Sequence, residues 1–311
     1  MRKPIPLTLI LTLLLCMLTA CTAAGSPAGD WYAFTDDAGS TVTLAAPPET
    51  VAVLTSSFAE IWQLAGGEVA VTVGEAVERG FADSGVTLVD EGAGKSINTE
   101  LLIAAKPDLV IVSSDIPAQA QTAQLLRSAG IPAAQLRVES FDDYLRVLKI
   151  CTDITGNADA YRLHGTEVQA QIRQIFAEIP RTGEKPQILF VRAGSSEKST
   201  KAKTAAEHFA CVMLDELGSV NIADAAPVLI DGLSIEEILT ADPAIIFVTA
   251  MGDEAAAKAN FGAVLDTPAW QGVRAVQEGR VHWLPKELFQ YKPNARWAEA
   301  YRMLAEILYE E

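Results

Sequence analysis

Short runs rich in Val, Ile and Leu alternate along this chain with segments whose apolar residues recur at helical spacing. That alternation predicts parallel α/β layers. A hairpin is expected first, over 34–44, turning at Asp36, Asp37, Ala38 and Gly39. Strands follow at 51–54, 69–73, 109–112 and 135–138, with helices at 58–65, 99–105, 118–129 and 141–152. Gly130 and Pro132 stop the third helix. A second set has strands at 188–191, 245–248 and 281–284, and helices at 205–217, 234–240 and 295–309. Between the sets, Tyr161, His164, Val168, Ile172, Ile175 and Ile179 share one helical face, which makes His164 an expected core residue. A helix over 158–179 is about 33 Å long, enough to run from one set to the other. Pro180 ends it.

The two sets repeat each other. Residues 97–112 align without gaps with residues 233–248. Each copy places a cap (Asn98 or Ser234) before a short helix with a glutamate in its first turn (Glu100 or Glu236). A proline and a buried strand follow. Convergence on a common helix–Pro–strand unit could give this pattern; two duplicated lobes around a cleft explain it better.

The N-terminus changes the picture from soluble protein to exported one. Arg2 and Lys3 precede an apolar stretch over 5–17, too short to span a bilayer, and Leu18, Thr19, Ala20 and Cys21 have the form of a lipobox. Cys21 is the thiol that would take the lipid, and small residues after it read as a tether. About 280 residues remain, enough for two lobes. The formal charge of −16 argues against nucleic acid and against an anionic lipid surface as partners, so the membrane is met through the lipid anchor only. Cys151 and Cys211 could pair on count alone, but both lie in apolar helix-like stretches and read better as buried free thiols. No His/Cys spacing suggests a metal site, and none of the signatures of a serine hydrolase, a phosphate-binding loop or a zinc protease is present. The expectation is therefore a non-enzyme with no cofactor of its own.

Several segments carry a family resemblance by their order and spacing. They are 37–44 before 48–54, Asn98 to Glu100 with 106–111, 217–223, Asp242 with Pro243, and 279–285. The chain resembles the class III substrate-binding proteins of ATP-binding-cassette importers, the group that carries ferric siderophores, haem and cobalamin. The resemblance covers nearly the whole mature chain. It implies two Rossmann-like α/β lobes joined by one long rigid helix, with the ligand cleft between them and little hinging. The implied division is a signal peptide over 1–20, a lipidated tether over 21–30, lobes over 31–155 and 181–311, and a connecting helix over 156–180. The implied partners are a permease dimer with its ATPase and a small metal chelate, and the chain is expected to act as a monomer. Glu100 and Glu236 match the family's docking glutamates, which pair with permease arginines, although both also read as plain helix-start acids and Glu237 competes for the second place.

Ligands in such sheets meet loops at the carboxyl ends of strands. Three loops qualify. The first carries Ser56, Ser57 and Phe58, with Trp62 one turn on, and could equally be a helix cap. The second gathers Arg192, Lys198, Lys201 and Lys203 after a strand of an acidic protein, and Arg192, Lys201 and Lys203 are the expected contacts to negative oxygens. The third, 289–297, mixes rings with cations at Tyr291, Lys292 and Arg296. Tyr291 or His208 could serve haem as an axial ligand. The expected ligand is a ferric siderophore or haem. Cobalamin is the alternative, because Phe58, Trp62, Tyr291 and Trp297 could supply an apolar ring surface.

Overall fold

In a computed structural model, residues 30–90, 96–180 and 183–309 are described. The lipobox at Cys21, the signal peptide and almost all of the tether lie outside the described residues.

The hairpin forms from β1 (Tyr32–Thr35) and β2 (Thr41–Leu44), paired antiparallel with Tyr32 opposite Leu44. Its turn is tied by Asp36, whose carboxylate accepts from the backbone N–H of Ala38, Ser40 and Gln135 and from Arg127. One aspartate thus fixes the hairpin to the neighbouring sheet.

That sheet is all parallel. It holds β3 (Val51–Val53), β4 (Val71–Thr72), β5 (Thr87–Leu88), β6 (Leu109–Ser113) and β7 (Ala133–Leu136) in the order β5-β4-β3-β6-β7. Its helices are α1 (Ser56–Leu64), α2 (Gly74–Glu78), α3 (Thr99–Ala104), α4 (Pro117–Ser128) and α5 (Phe141–Thr155). The expected strand over 69–73 shrinks to β4, and the one expected over 135–138 starts and ends two residues earlier. Helix α5 is capped by Ser140, whose side chain accepts from the Asp143 N–H at 3.1 Å. Ser140→Ala should cost about 1 kcal/mol, the usual worth of an N-cap, measurable as a small fall in urea midpoint. An unchanged midpoint would show that water replaces the cap without loss.

Between the sheets the chain runs helically through α6 (Ala158–Tyr161), a π turn (Arg162–Thr166) and α7 (Glu167–Glu178). Val168, Ile172 and Ile175 are buried as expected, while His164 is only half-buried and lends its carbonyl to the Tyr144 hydroxyl. The widened turn brings Gly165 against α5, where an added Cβ would meet Leu145 at 3.1 Å.

The second sheet has β10 (Val220–Asn221), β8 (Gln187–Ala193), β11 (Ile245–Ala250) and β12 (Val281–Trp283) in that order, all parallel, with β9 (Lys201–Ala202) antiparallel on β8. Its longer helices are α8 (Phe209–Glu216), α9 (Ile235–Ala241), α10 (Glu254–Leu265) and α11 (Trp297–Tyr309). The helix expected over 205–217 starts late because His208 caps it, and residues 204–207 form a turn instead.

The internal repeat survives in three dimensions. Helices α3 and α9 each precede a central strand, and Leu102 and Ile238 bury the matching position. Lys106 and Asp242 occupy the matching place before each proline and both have positive φ, 51° and 44°. That left-handed residue stops the helix and turns the chain into the strand. The caps differ: Asn98 accepts from the Leu101 N–H, whereas Ser234 makes no such side-chain bond.

One apolar core joins both sheets. Trp297, wholly buried, sets its ring edge-on against Phe141 at 6.1 Å and Phe209 at 5.7 Å. Phe176 of α7 packs on Tyr301 of the same helix, α11. Cys151 and Cys211 are buried free thiols in separate sheets' layers.

Candidate functional site

Strand order reverses between β3 and β6 in the first sheet and between β8 and β11 in the second. Such switch points open a crevice at the carboxyl ends of the strands. The loops that leave β3 and β8 start there.

Three stretches meet across this crevice. Lys292 places its ammonium 2.7 Å from a Glu139 carboxylate oxygen, and its N–H faces the Ser57 hydroxyl at 3.5 Å. Asn294 donates to the Ser57 carbonyl at 3.0 Å and to Glu60 at 2.7 Å. Asn294 is wholly buried with φ of 49°, a strained backbone at a point of inter-lobe contact. Arg79 holds its guanidinium 3.9 Å from the Tyr291 ring centre and 4.7 Å from that of Phe81. Of these groups Glu60, Arg79, Phe81, Tyr291 and Lys292, together with Lys286 and Arg296, line a hollow of about 400 Å³.

Ser56 sits behind this rim, with its hydroxyl donating to Glu75 at 2.5 Å and accepting from Arg79 at 2.8 Å. Burial pushes the Glu60 carboxyl above its ordinary range, against the opposing pull of Asn294, Arg79 and Arg296. Glu139 is raised for the same reason, desolvation outweighing its bond to Lys292.

On the other side, Arg192 faces Lys201 across the β8–β9 pair, and its buried Nε has no hydrogen-bond partner among the described residues. Lys203 is nearly buried and pairs with Glu207 at 3.0 Å. His208 is stacked on Phe209 at 4.9 Å, and its Nδ1 accepts from the Ala210 N–H, which commits that atom to the backbone. Its pKa is lowered to about 3, by burial first and then by the fields of Lys292, Arg192 and Lys203. The imidazole is therefore neutral. Lys292 also lies 4.6 Å from the Phe209 ring centre.

The other expected site residues lie elsewhere. Phe58 and Trp297 are in the core, and Trp62 is buried with its indole N–H given to the Glu68 carbonyl, beside a separate hollow at Pro47 and Pro48. Burial of these three rings reflects the apolar faces of α1 and α11, which pack inward. Arg296 reaches the hollow but is gripped by both oxygens of Glu299 at 2.7 Å. Glu100 and Glu236 are exposed in the first turns of α3 and α9, as is Glu237. Sequence reasoning missed Arg79, Glu60, Glu139 and Lys286. A cation beside a ring at Arg79 and Phe81 was a readable signal, the same mixture that marked 289–297. Among the described residues, no group of three or more His, Cys, Asp or Glu is placed to hold a metal ion, and no helix is long and apolar enough to cross a membrane.

The haem-binding protein RhuT from Roseiflexus sp. RS-1 superposes with a TM-score of 0.67 at 19% identity, covering 84% of this chain and 98% of its own. The vitamin B12-binding protein BtuF of Vibrio cholerae gives 0.66 at 20%, covering 84% and 97%. Staphylococcus aureus SirA, complexed with staphyloferrin B, gives 0.66 at 17%, covering 90% and 97%. No curated protein sequence matches the chain. The family model described as periplasmic binding protein matches residues 51–288, from β3 to the end of the third loop's approach, so this chain belongs to the periplasmic binding protein family.

Proposed function

We propose that this chain is the extracytoplasmic binding lipoprotein of an ATP-binding-cassette importer and that it carries an iron chelate, a ferric siderophore or haem. The observation that supports this reading best is the gathering of Arg79, Lys286, Lys292 and Arg296 around one hollow, in a chain whose formal charge is −16. Cations concentrated at one crevice of an acidic protein suit a ligand with several negative oxygens. Cobalamin is disfavoured because Phe58, Trp62 and Trp297 are core residues, which leaves Tyr291 and Phe81 as the rings at the hollow.

In this reading the lobes are 31–155 and 181–311, with 156–180 connecting them. Cys21 carries the lipid anchor. The monomeric protein docks through Glu100 and Glu236 on a permease dimer driven by its ATPase. The ligand is cargo, and no step of catalysis is assigned. Absorption spectra of protein purified from its own host test the ligand class. A catecholate or hydroxamate charge-transfer band, or a Soret band, is expected. A corrin spectrum would transfer the assignment to cobalamin.

A further inference from the structure

Among the described residues, the direct bonds across the crevice come from one short stretch, Lys292 to Asn294, and they are unequal in kind. Asn294 meets a backbone carbonyl and a carboxylate that Arg79 also neighbours. Lys292 meets Glu139 alone in a paired contact of opposite charges, one from each lobe, each about a quarter exposed at its side chain (24% and 22%). Lys292 is also the cation that joins Arg192 and Lys203 in the field around His208. The first sheet therefore inserts a negative group at the place where the second sheet collects its positive ones.

We propose that Glu139 is an internal counter-ion that holds the anion place on Lys292, so that an incoming anionic chelate must displace it, and that this exchange tunes which ligand charge the cleft accepts. The inference rests on the reading of the cleft as a site for an anionic chelate. A carboxylate and a ligand oxygen compete for the same donor, since an ammonium at the crevice wall can direct few protons toward one side. An uncharged ligand has no such oxygen to offer and gains little by the exchange. The groups that face Glu139 are Lys292 from the opposite lobe, Asp115 and Arg137 beside it, and Asp143 of α5, whose carboxylate accepts the Glu139 N–H. Asp115 and Arg137 largely satisfy each other at 3.0 Å. Protonation of Glu139 removes its charge and frees Lys292, so the competition weakens as pH falls.

The test is titration of the full mature chain by tryptophan fluorescence, with haem and a ferric tris-catecholate as anionic probes and a neutral ferric tris-hydroxamate as the control. Glu139→Gln should bind at least one anionic probe about tenfold more tightly than the wild type, the low end of one charged hydrogen bond. Its affinity for the neutral chelate should change less than about twofold. The advantage should shrink as pH is lowered from about 8 to about 5, through the carboxylate range. The advantage should also vanish in Glu139→Gln combined with Lys292→Gln. Equal or weaker anionic binding by Glu139→Gln overturns the proposal, and so does an equal gain for all three probes, which would indicate a merely loosened cleft. Anionic binding by the wild type with either of those results leaves the chelate reading standing. Failure of both proteins to bind any probe overturns that reading and takes this inference with it.

Discussion

Uptake should fall by at least about tenfold when Glu100 and Glu236 are both changed to lysine, while ligand affinity stays within about twofold. The two residues occupy matched places in the internal repeat, and each stands exposed in the first turn of a helix leading into a central strand. Neither acid lines the hollow at the crevice, and each helix precedes a central strand of its own sheet. A partner built from two like subunits could meet both acids at once. Alanine at both places removes attraction, whereas lysine sets like charges face to face, so the lysine pair should transport less than the alanine pair. Transport into vesicles at matched protein levels decides the matter. Normal uptake by the lysine pair would sink the docking assignment and leave ligand binding untouched.

Trp297→Ala should destabilise the folded chain by about 3–5 kcal/mol, the usual cost of emptying a buried aromatic site. The indole is wholly buried and touches Phe141 from the first lobe and Phe209 from the second. Its loss opens a cavity at the junction rather than within either lobe. Trp297→Phe should recover much of the loss, because the edge-on ring contacts can persist. Denaturant unfolding followed by circular dichroism gives the number. A loss below about 1 kcal/mol would mean the junction collapses to fill the space.

Much of the architecture was legible because its signals are local. The helix–Pro–strand repeat could be read directly from residues 97–112 and 233–248, and Lys106 and Asp242 show why it recurs: each supplies the left-handed residue that turns helix into strand. The expected strand over 69–73 is longer than β4, because apolar residues flank Thr72 on both sides while only Val71 and Thr72 pair with both neighbours. Helix α10 was missed for the opposite reason. Its Glu254-Ala255-Ala256-Ala257 start has strong helix propensity but no apolar period to mark a buried face. In the site, the cations of the second and third loops could be picked out by their departure from an acidic background. Glu139 and Glu60 could not, because a carboxylate in such a chain stands out only once its partner from the other lobe is known. Phe58 and Trp62 illustrate the converse difficulty: helical spacing alone does not say which rings face the crevice and which face the core.

The two buried thiols give the protein a pair of built-in clocks. Cys151 belongs to α5 of the first lobe and Cys211 to α8 of the second. Burial pushes the Cys151 thiol up to about 12 and the Cys211 thiol well above its ordinary value, so both are poor nucleophiles in the folded state. A maleimide or disulfide reagent can therefore label either one only during an excursion that exposes it. The labelling rate at each position reads the opening frequency of its own lobe, without any added probe. Because one core joins the lobes through Trp297, the two rates should rise together as denaturant increases, and any gap between them measures how far one lobe breathes while the other stays shut.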